Sequence, residues 1–189
     1  CLSSWLGSLT ASVSEMEIGG TVDLTGRMTN VGSCLSTVNV KIKVTWPSAV
    51  GESLLSEVNP SISPSDFTDT YASFTPSELG SWGFNLYLDD VLTASISVNV
   101  VGVALFDKAI TVTSVTRVGE YTTVSVQVTN VGTGAGSVMY KVVVTKPDGV
   151  IVDASASFSA SLSPGGTDTH TFNYLIEQVG NYRFCAEWV

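Results

Sequence analysis

The sequence predicts an all-β protein in which two antiparallel β-sandwiches follow one another along the chain. Three observations predict this fold. Short segments alternate apolar and polar residues with a period of two, as strands with one buried face do. The composition is 44% hydrophobic and only 13% charged, and no segment keeps a 3.6-residue helical period. The third observation is an internal repeat with a period of 100 residues.

The repeat defines two domains, which we place at 1–100 and 101–189. The identical positions are turn residues and strand ends, where backbone geometry restricts the choice of residue. They include Thr29–Gly32 with Thr129–Gly132, Pro47 with Pro147, and Gly80 with Gly180. Each copy is long enough to fold around a core of its own.

Each repeat supplies a similar series of strands. In the first repeat we expect strands at 21–29, 38–45, 67–74, 82–88 and 93–100. In the second repeat we expect them at 123–129, 137–145, 168–174 and 182–188. Short alternating strands with Pro, Gly and Asp between them are typical of immunoglobulin-like sandwiches. The second repeat has no counterpart of 93–100, so its sandwich should lack the final strand.

A resemblance to a known family is carried by the repeated motifs. They are "TNVG" at a strand end, then "VKIKVTWP" or "YKVVVTKP", then an "SPG"-like turn and the closing "LGSWGFNLYLD". Together they resemble the CARDB group of immunoglobulin-like surface domains, and the two repeats cover nearly the whole chain. The resemblance implies an all-β sandwich in a surface or adhesion protein, and it brings no catalytic residues.

The absent closing strand has three explanations that the sequence leaves open. The sequence could be a cut piece, the sandwich could tolerate six strands, or another chain could supply the strand by donor-strand complementation. Under the third explanation, one face of the last strand is the acceptor edge. That face carries Tyr182, Phe184, Ala186 and Trp188.

The N-terminal segment, 1–14, is the candidate donor strand. Its "LTASVS" at 9–14 nearly repeats "LTASIS" at 92–97, which opens the closing strand of the first domain. The donated side chains would be Trp5, Leu9, Ala11 and Val13. The alternative is that this segment is the first domain's own first strand.

Three cysteines bear on the compartment, and none has the spacing of a zinc site. A disulfide between Cys1 and Cys34 is the first candidate, and an intersubunit bond between Cys1 and Cys185 is the alternative. Three reduced thiols in a cytosolic protein are the third reading. Because the sequence begins with Cys1, a lipid-modified N-terminus is also considered.

The composition and residue types argue against several functions. A net charge of −9 and a pI near 4.3 disfavour binding to nucleic acid. No apolar run approaches the ~20 residues of a transmembrane helix. The single histidine, His170, has no nucleophile tied to it, so we expect no enzyme and no cofactor. The carboxylates Asp66, Asp69 and Asp168 lack the spacing of a calcium loop, so we expect no metal.

The sequence therefore favours an extracellular structural protein, a cell-surface filament or pilus-like subunit that polymerises head to tail with copies of itself. The alternative is a pair of adhesion or carbohydrate-binding modules from a larger surface protein. Such a pair would bind a cell-surface glycan or protein, with Trp46 as the best aromatic platform. A virion structural or decoration protein is a further alternative.

Overall fold

The structure is a computed structural model that describes residues 2–114 and 117–189. It divides into two compact units, with the boundary between Val101 and Gly102. Both units consist of β-strands and turns, which confirms the all-β fold class. Within the described residues, we find no helix with the length and apolar character needed to cross a membrane.

The first unit contains two main sheets. One has the order β1-β3-β8, and the other has the order β2-β10-β9-β5-β6. The short strands β4 and β7 pair separately. The strands are β1 (Trp5–Ala11), β2 (Glu15–Glu17), β3 (Val22–Asn30), β4 (Ser36–Thr37), β5 (Val40–Thr45), β6 (Glu52–Val58), β7 (Ser61–Ile62), β8 (Phe67–Phe74), β9 (Gly80–Leu88) and β10 (Val91–Val101).

The second unit repeats this plan with fewer strands. Its sheets have the orders β11-β12-β16 and β14-β13-β15, and β17 also pairs with β13. The strands are β11 (Phe106–Val112), β12 (Tyr121–Asn130), β13 (Gly136–Thr145), β14 (Ile151–Asp153), β15 (Phe158–Leu162), β16 (Thr167–Leu175) and β17 (Arg183–Trp188). The sequence predicted the long strands β3, β5, β8, β9, β10, β12, β13, β16 and β17 and offered β1 as an alternative, but it did not predict β2, β4, β7, β11 or β15.

A core lies between the two main sheets of the first unit because alternate residues of each strand point inward. Both sheets contribute fully buried side chains. The largest are Trp82, Phe84, Leu24, Met28, Ile42 and Leu86. The second unit has a smaller core, centred on Val124, Val126, Val128, Tyr140 and Val142.

The repeated "TNVG" motif holds a strand end to the turns beside it. Asn130 is fully buried, and its Nδ2 donates to the carbonyls of Gly134 at 2.8 Å and Leu162 at 3.0 Å. Its Oδ1 accepts from the backbone N–H of Gly132 at 3.0 Å. Asn30 makes the equivalent bonds in the first unit. A buried amide with this many partners explains why the motif recurs.

A second repeated pair packs a turn against a proline. Gly80 and Gly180 have φ of 123° and 137°, in the region that favours glycine. A Cβ at Gly180 would lie 2.6 Å from the Cβ of Pro147, and one at Gly80 would lie 2.9 Å from that of Pro47. Glycine and proline therefore recur together because each turn needs both.

The repeat offset is not uniform along the chain, which corrects the ungapped alignment made from the sequence. Asn30 pairs with Trp5 and Asn130 pairs with Phe106, so the first strands of the two units are offset by one further residue. Leu9 is accordingly the counterpart of Ile110 and not of Ala109. The turn motifs keep their spacing because their hydrogen bonds fix it.

Candidate strand-acceptor edge

In the first unit, β10 covers one edge of β9. The two strands pair antiparallel from Val91↔Leu88 to Val100↔Gly80, with an irregularity at Leu92/Ala94. A hairpin turn with φ of 49° and 64° at Asp89 and Asp90 joins them, as an antiparallel two-residue connection requires. Four inward-facing side chains of β9 are buried, namely Trp82, Phe84, Leu86 and Leu88.

In the second unit, β17 is the counterpart of β9, and its equivalent edge carries no strand. Among residues 2–114 and 117–189, β17 pairs only with β13, from Tyr140↔Trp188 to Thr145↔Arg183. Of the four predicted acceptor residues, only Ala186 is buried, at 4% exposure. Trp188 is 43% exposed, where the equivalent Leu88 is 4% exposed. Tyr182 and Phe184 are half-buried.

The acceptor side chains are held in place by an aromatic cluster. The ring of Tyr174 meets those of Tyr182 and Phe184 nearly edge-on, at centroid distances of 6.1 and 5.4 Å. The hydroxyl of Tyr182 accepts from the backbone N–H groups of Glu177 and Gln178. In the first unit, Phe74 makes the matching contacts with Trp82 and Phe84. The acceptor face is therefore ordered by the unit's own residues.

A cavity of about 280 Å³ lies beside this edge. In the first unit, Val98 pairs with Trp82 and Val100 pairs with Gly80, and both valines are buried. The cavity lies at the equivalent place, which is where two such side chains of a closing strand would pack. Its walls are formed by Val112, Thr113, Ser114, Thr122, Ile176, Gly180, Asn181, Tyr182 and Phe184.

Sequence reasoning found the aromatic face of this site but missed the opposite wall, which includes Val112, Thr122 and Ile176. These residues come from β11, β12 and the segment after β16, so their proximity depends on tertiary structure. The internal repeat is the sequence signal that could have identified these three residues. Trp82 and Gly80, which pair with Val98 and Val100 of the closing strand, have Tyr182 and Gly180 as their counterparts.

The predicted donor strand has another role in this structure. Residues 5–11 form β1, which pairs antiparallel with β3 of its own unit over seven residues. Leu9 is buried at 8% exposure, and Trp5 and Ala11 pack against the same core. Val13 lies beyond the strand and is 38% exposed. In this structure the segment therefore takes the alternative role, a first strand of the first unit, and its donation to a neighbouring chain stays a prediction.

The cysteines have different states. Cys34 is disulfide-bonded, and Cys185 carries a free, exposed thiol. Cys1 lies outside the described residues, so its pairing with Cys34 or with Cys185 stays a prediction. Cys185 shares the outward face of β17 with Arg183 and Glu187, away from the acceptor side chains.

His170 and Asp168, which the sequence singled out, lie together in a packed cluster with Tyr140 and Phe158. His170 Nε2 lies 3.1 Å from Asp168 Oδ2, and its ring stacks on Phe158 at 4.3 Å. Asp168 also accepts from the Tyr140 hydroxyl at 3.2 Å. Burial, together with the nearby Asp168 carboxylate, raises the pKa of Tyr140 to about 12. Among the described residues, no three His, Cys, Asp or Glu side chains are grouped as metal ligands would be.

Trp46, the predicted sugar platform, packs on the end of the first core. Its ring lies 5.1 Å from that of buried Trp82, at an interplanar angle of 41°. Only 37% of the residue is exposed. Trp46 therefore covers one end of the first unit's core.

Comparisons with known proteins bear on the fold. No family model and no curated protein matches the chain. A CARDB domain from Pyrococcus furiosus, solved in complex with di-metal ions, is 14% identical with a TM-score of 0.45, over 52% of this chain and 89% of that one. CARDB domains are among the solved structures to which this chain is similar.

Larger proteins also contain similar regions. A beta-glucosidase from Listeria innocua, in complex with isofagomine, is 10% identical with a TM-score of 0.46, and the match spans 16% of its chain. The Pseudomonas fluorescens alkylpurine DNA glycosylase AlkC, bound to DNA with an abasic site analog, is 7% identical over 30% of its chain, with a TM-score of 0.44. Because these matches span small parts of the enzymes, the absence of enzymatic activity stays a prediction.

Proposed function

We propose that this chain is a structural subunit of an extracellular surface filament, and that its second unit accepts a strand from a neighbouring subunit along β17. The observation that carries the proposal is the contrast between two copies of one fold. In the first, β10 covers β9 and fills the core with Val98 and Val100. In the second, no strand of the described residues covers the same edge, and a cavity lies where those two valines would pack.

The energy available at this edge supports strand addition. Burying one valine-sized side chain contributes about 1.5–3 kcal/mol, so two contribute on the order of 3–6 kcal/mol. A small domain is stable by about 5–15 kcal/mol in total, so the added strand would change its stability greatly. Unpaired backbone groups on an edge strand also favour pairing with another chain.

The disulfide at Cys34 supports a location outside the cytosol, because such bonds persist mainly in oxidising compartments. The donor strand of the neighbour is not the segment 5–11 in its observed position, since that segment is paired within its own unit. Either a copy of β1 leaves its own sheet, as in domain swapping, or another segment of the neighbour supplies the strand.

The test is a self-complemented variant in which a second copy of residues 89–101 replaces Val189. This extension gives the second unit the turn and closing strand of the first. The matched control carries the same extension with aspartate at the copied positions of Ile96 and Val98, which cannot enter an apolar core. All three proteins are examined by negative-stain electron microscopy and by calorimetry.

We expect filaments from the unmodified chain and from the control, and stable single particles from the self-complemented variant. If the unmodified chain forms no filaments, the filament function is wrong. If the self-complemented variant is no more stable than the control, the acceptor edge itself is wrong. The two failures are therefore distinguishable.

A further inference from the structure

The outer face of sheet β1-β3-β8 carries an exposed cluster that the proposed function does not use. The strand registers arrange its residues in three rows across the sheet. These rows are Leu6–Thr29–Phe67, Ser8–Arg27–Asp69 and Thr10–Thr25–Tyr71. Phe67 is 51% exposed and Tyr71 is 69% exposed, so two aromatic rings stand on a solvent-facing sheet.

The middle row contains a bidentate ion pair between Arg27 and Asp69. Arg27 donates from Nε to Asp69 Oδ1 at 2.8 Å and from Nη2 to Asp69 Oδ2 at 2.9 Å. The guanidinium also lies over the Phe67 ring, 4.2 Å from its centroid. The hydrogen bond from Arg27 lowers the pKa of Asp69, so the pair stays ionised at neutral pH. A shallow pocket of about 270 Å³ beside this ion pair is lined by Ser8, Thr10, Thr25 and Arg27.

The second unit shows that the fold does not require this cluster. Its equivalent sheet keeps the same strand order and antiparallel pairing. The corresponding rows are Asp107–Thr129–Thr167, Ala109–Gln127–Thr169 and Thr111–Ser125–Thr171. Phe67 and Tyr71 are thus replaced by threonine, and the Arg27–Asp69 pair is replaced by Gln127 and Thr169. Because packing is satisfied without them, the first unit's side chains need another explanation.

We infer that this face, which we call the outer-sheet cluster (Leu6, Ser8, Arg27, Phe67, Asp69 and Tyr71), binds a neutral polysaccharide. An exposed aromatic ring stacks on the C–H face of a sugar, since the negative face of the ring attracts the positively polarised hydrogens. The guanidinium nitrogens have donors left over from the ion pair, and the carboxylate has free lone pairs. Adjacent sugar hydroxyls can accept hydrogen bonds from the Arg27 guanidinium and donate hydrogen bonds to the Asp69 carboxylate.

Charge and dimensions favour a neutral, extended ligand. Arg27 is neutralised by Asp69 within the cluster, and the whole chain carries a net charge of −9, so an anionic polymer would be repelled. Phe67 and Tyr71 are four residues apart on one strand, which corresponds to about 13–14 Å. That separation is long enough to contact more than one ring of a polysaccharide chain.

The experiment measures retention of the full chain on insoluble cellulose and chitin, and in gels that contain dextran or xylan. The test variant is Tyr71→Thr, which introduces the residue that the second unit carries at the same position. The matched control is Tyr121→Thr, because Tyr121 is a similarly exposed tyrosine, at 64%, on β12 of the second unit. Tyr71→Trp preserves the stacking surface and serves as the conservative variant.

We expect at least one of these neutral polysaccharides to retain the chain, and we expect Tyr71→Thr to weaken retention by about tenfold. Tyr121→Thr and Tyr71→Trp should retain the unmodified affinity, and all variants should keep the same melting temperature. The inference is overturned if none of the four polysaccharides retains the chain, or if Tyr71→Thr is retained as well as the unmodified protein. It is also overturned if Tyr71→Thr alters only the association of the chain with itself, because the face would then contact protein.

Discussion

The contribution of a covering strand to the stability of a unit can be measured by replacing the equivalent phenylalanine in each unit with alanine. Phe84 on β9 is fully buried, and its ring meets Phe74 at a centroid distance of 5.9 Å. Phe184 on β17 meets Tyr174 at 5.4 Å, but it is only half-buried. The paired changes are Phe84→Ala and Phe184→Ala.

The expected magnitudes follow from burial. Replacing a fully buried phenylalanine by alanine destabilises a domain by about 3–5 kcal/mol. Phe184→Ala should lower the stability by less, because Phe184 is only half-buried and no strand of the described residues covers it. We expect roughly half the effect, about 1.5–2.5 kcal/mol, since the hydrophobic contribution scales with the area removed from water.

The assay is scanning calorimetry of the full chain, in which the two units should give separate transitions. Phe84→Ala should lower only the transition of the first unit, and Phe184→Ala only that of the second, by a smaller amount. In the self-complemented variant, Phe184→Ala should become as destabilising as Phe84→Ala. Equal effects of the two changes in the unmodified chain would refute the reasoning, because they would mean that Phe184 is as well covered as Phe84.

Three further predictions concern polar and aromatic groups. Asn130→Ala should destabilise the second unit by about 2–4 kcal/mol in urea unfolding, because it leaves buried backbone partners without a hydrogen bond; an unchanged midpoint would contradict the role of the motif. The pKa of Tyr140 is raised above its unfolded value, so the stability it contributes is present below pH 10 and is lost as pH rises towards about 12. An ultraviolet titration should therefore show a tyrosine step near pH 12 that Tyr140→Phe removes, and a step near pH 12 that persists in this variant would exclude the assignment. Trp46→Ala should lower the melting temperature of the first unit without changing retention on polysaccharides. Loss of retention would instead show that Trp46 is part of the sugar-binding site.

Much of the fold could be predicted from the sequence because its signals are local. The alternation in Val22–Asn30 and Gly80–Leu88 identified long strands, and the repeated Asn, Gly and Pro residues identified their turns. The strands β2, β4 and β7 were missed because two or three residues carry no periodic signal. The ungapped repeat was inexact at β1 because strand register is set by pairing between strands, which residue identities alone did not resolve.

The candidate site was likewise only partly predictable from the sequence. The acceptor side chains Tyr182, Phe184, Ala186 and Trp188 could be predicted, since they alternate in the sequence, although β17 itself begins at Arg183. The assignment of residues 1–14 as a donor could not be decided from the sequence, because an apolar face fits its own sheet as well as a neighbour's. The outer-sheet cluster was not recognised for a related reason. Arg27 and Asp69 are 42 residues apart and meet only through the pairing of β3 with β8.

Hydrogen–deuterium exchange along β9 and β17 tests the central claim, an uncovered edge that accepts a strand, most directly. Every second backbone N–H of an antiparallel strand points to each neighbour, so half of the amides of β17 should lack a partner. We predict that these amides exchange quickly in the unpolymerised chain, while β9 is protected throughout. In the self-complemented variant, the same amides should become as slow as those of β9. Equal protection of β17 in the unmodified chain and the self-complemented variant would contradict the account.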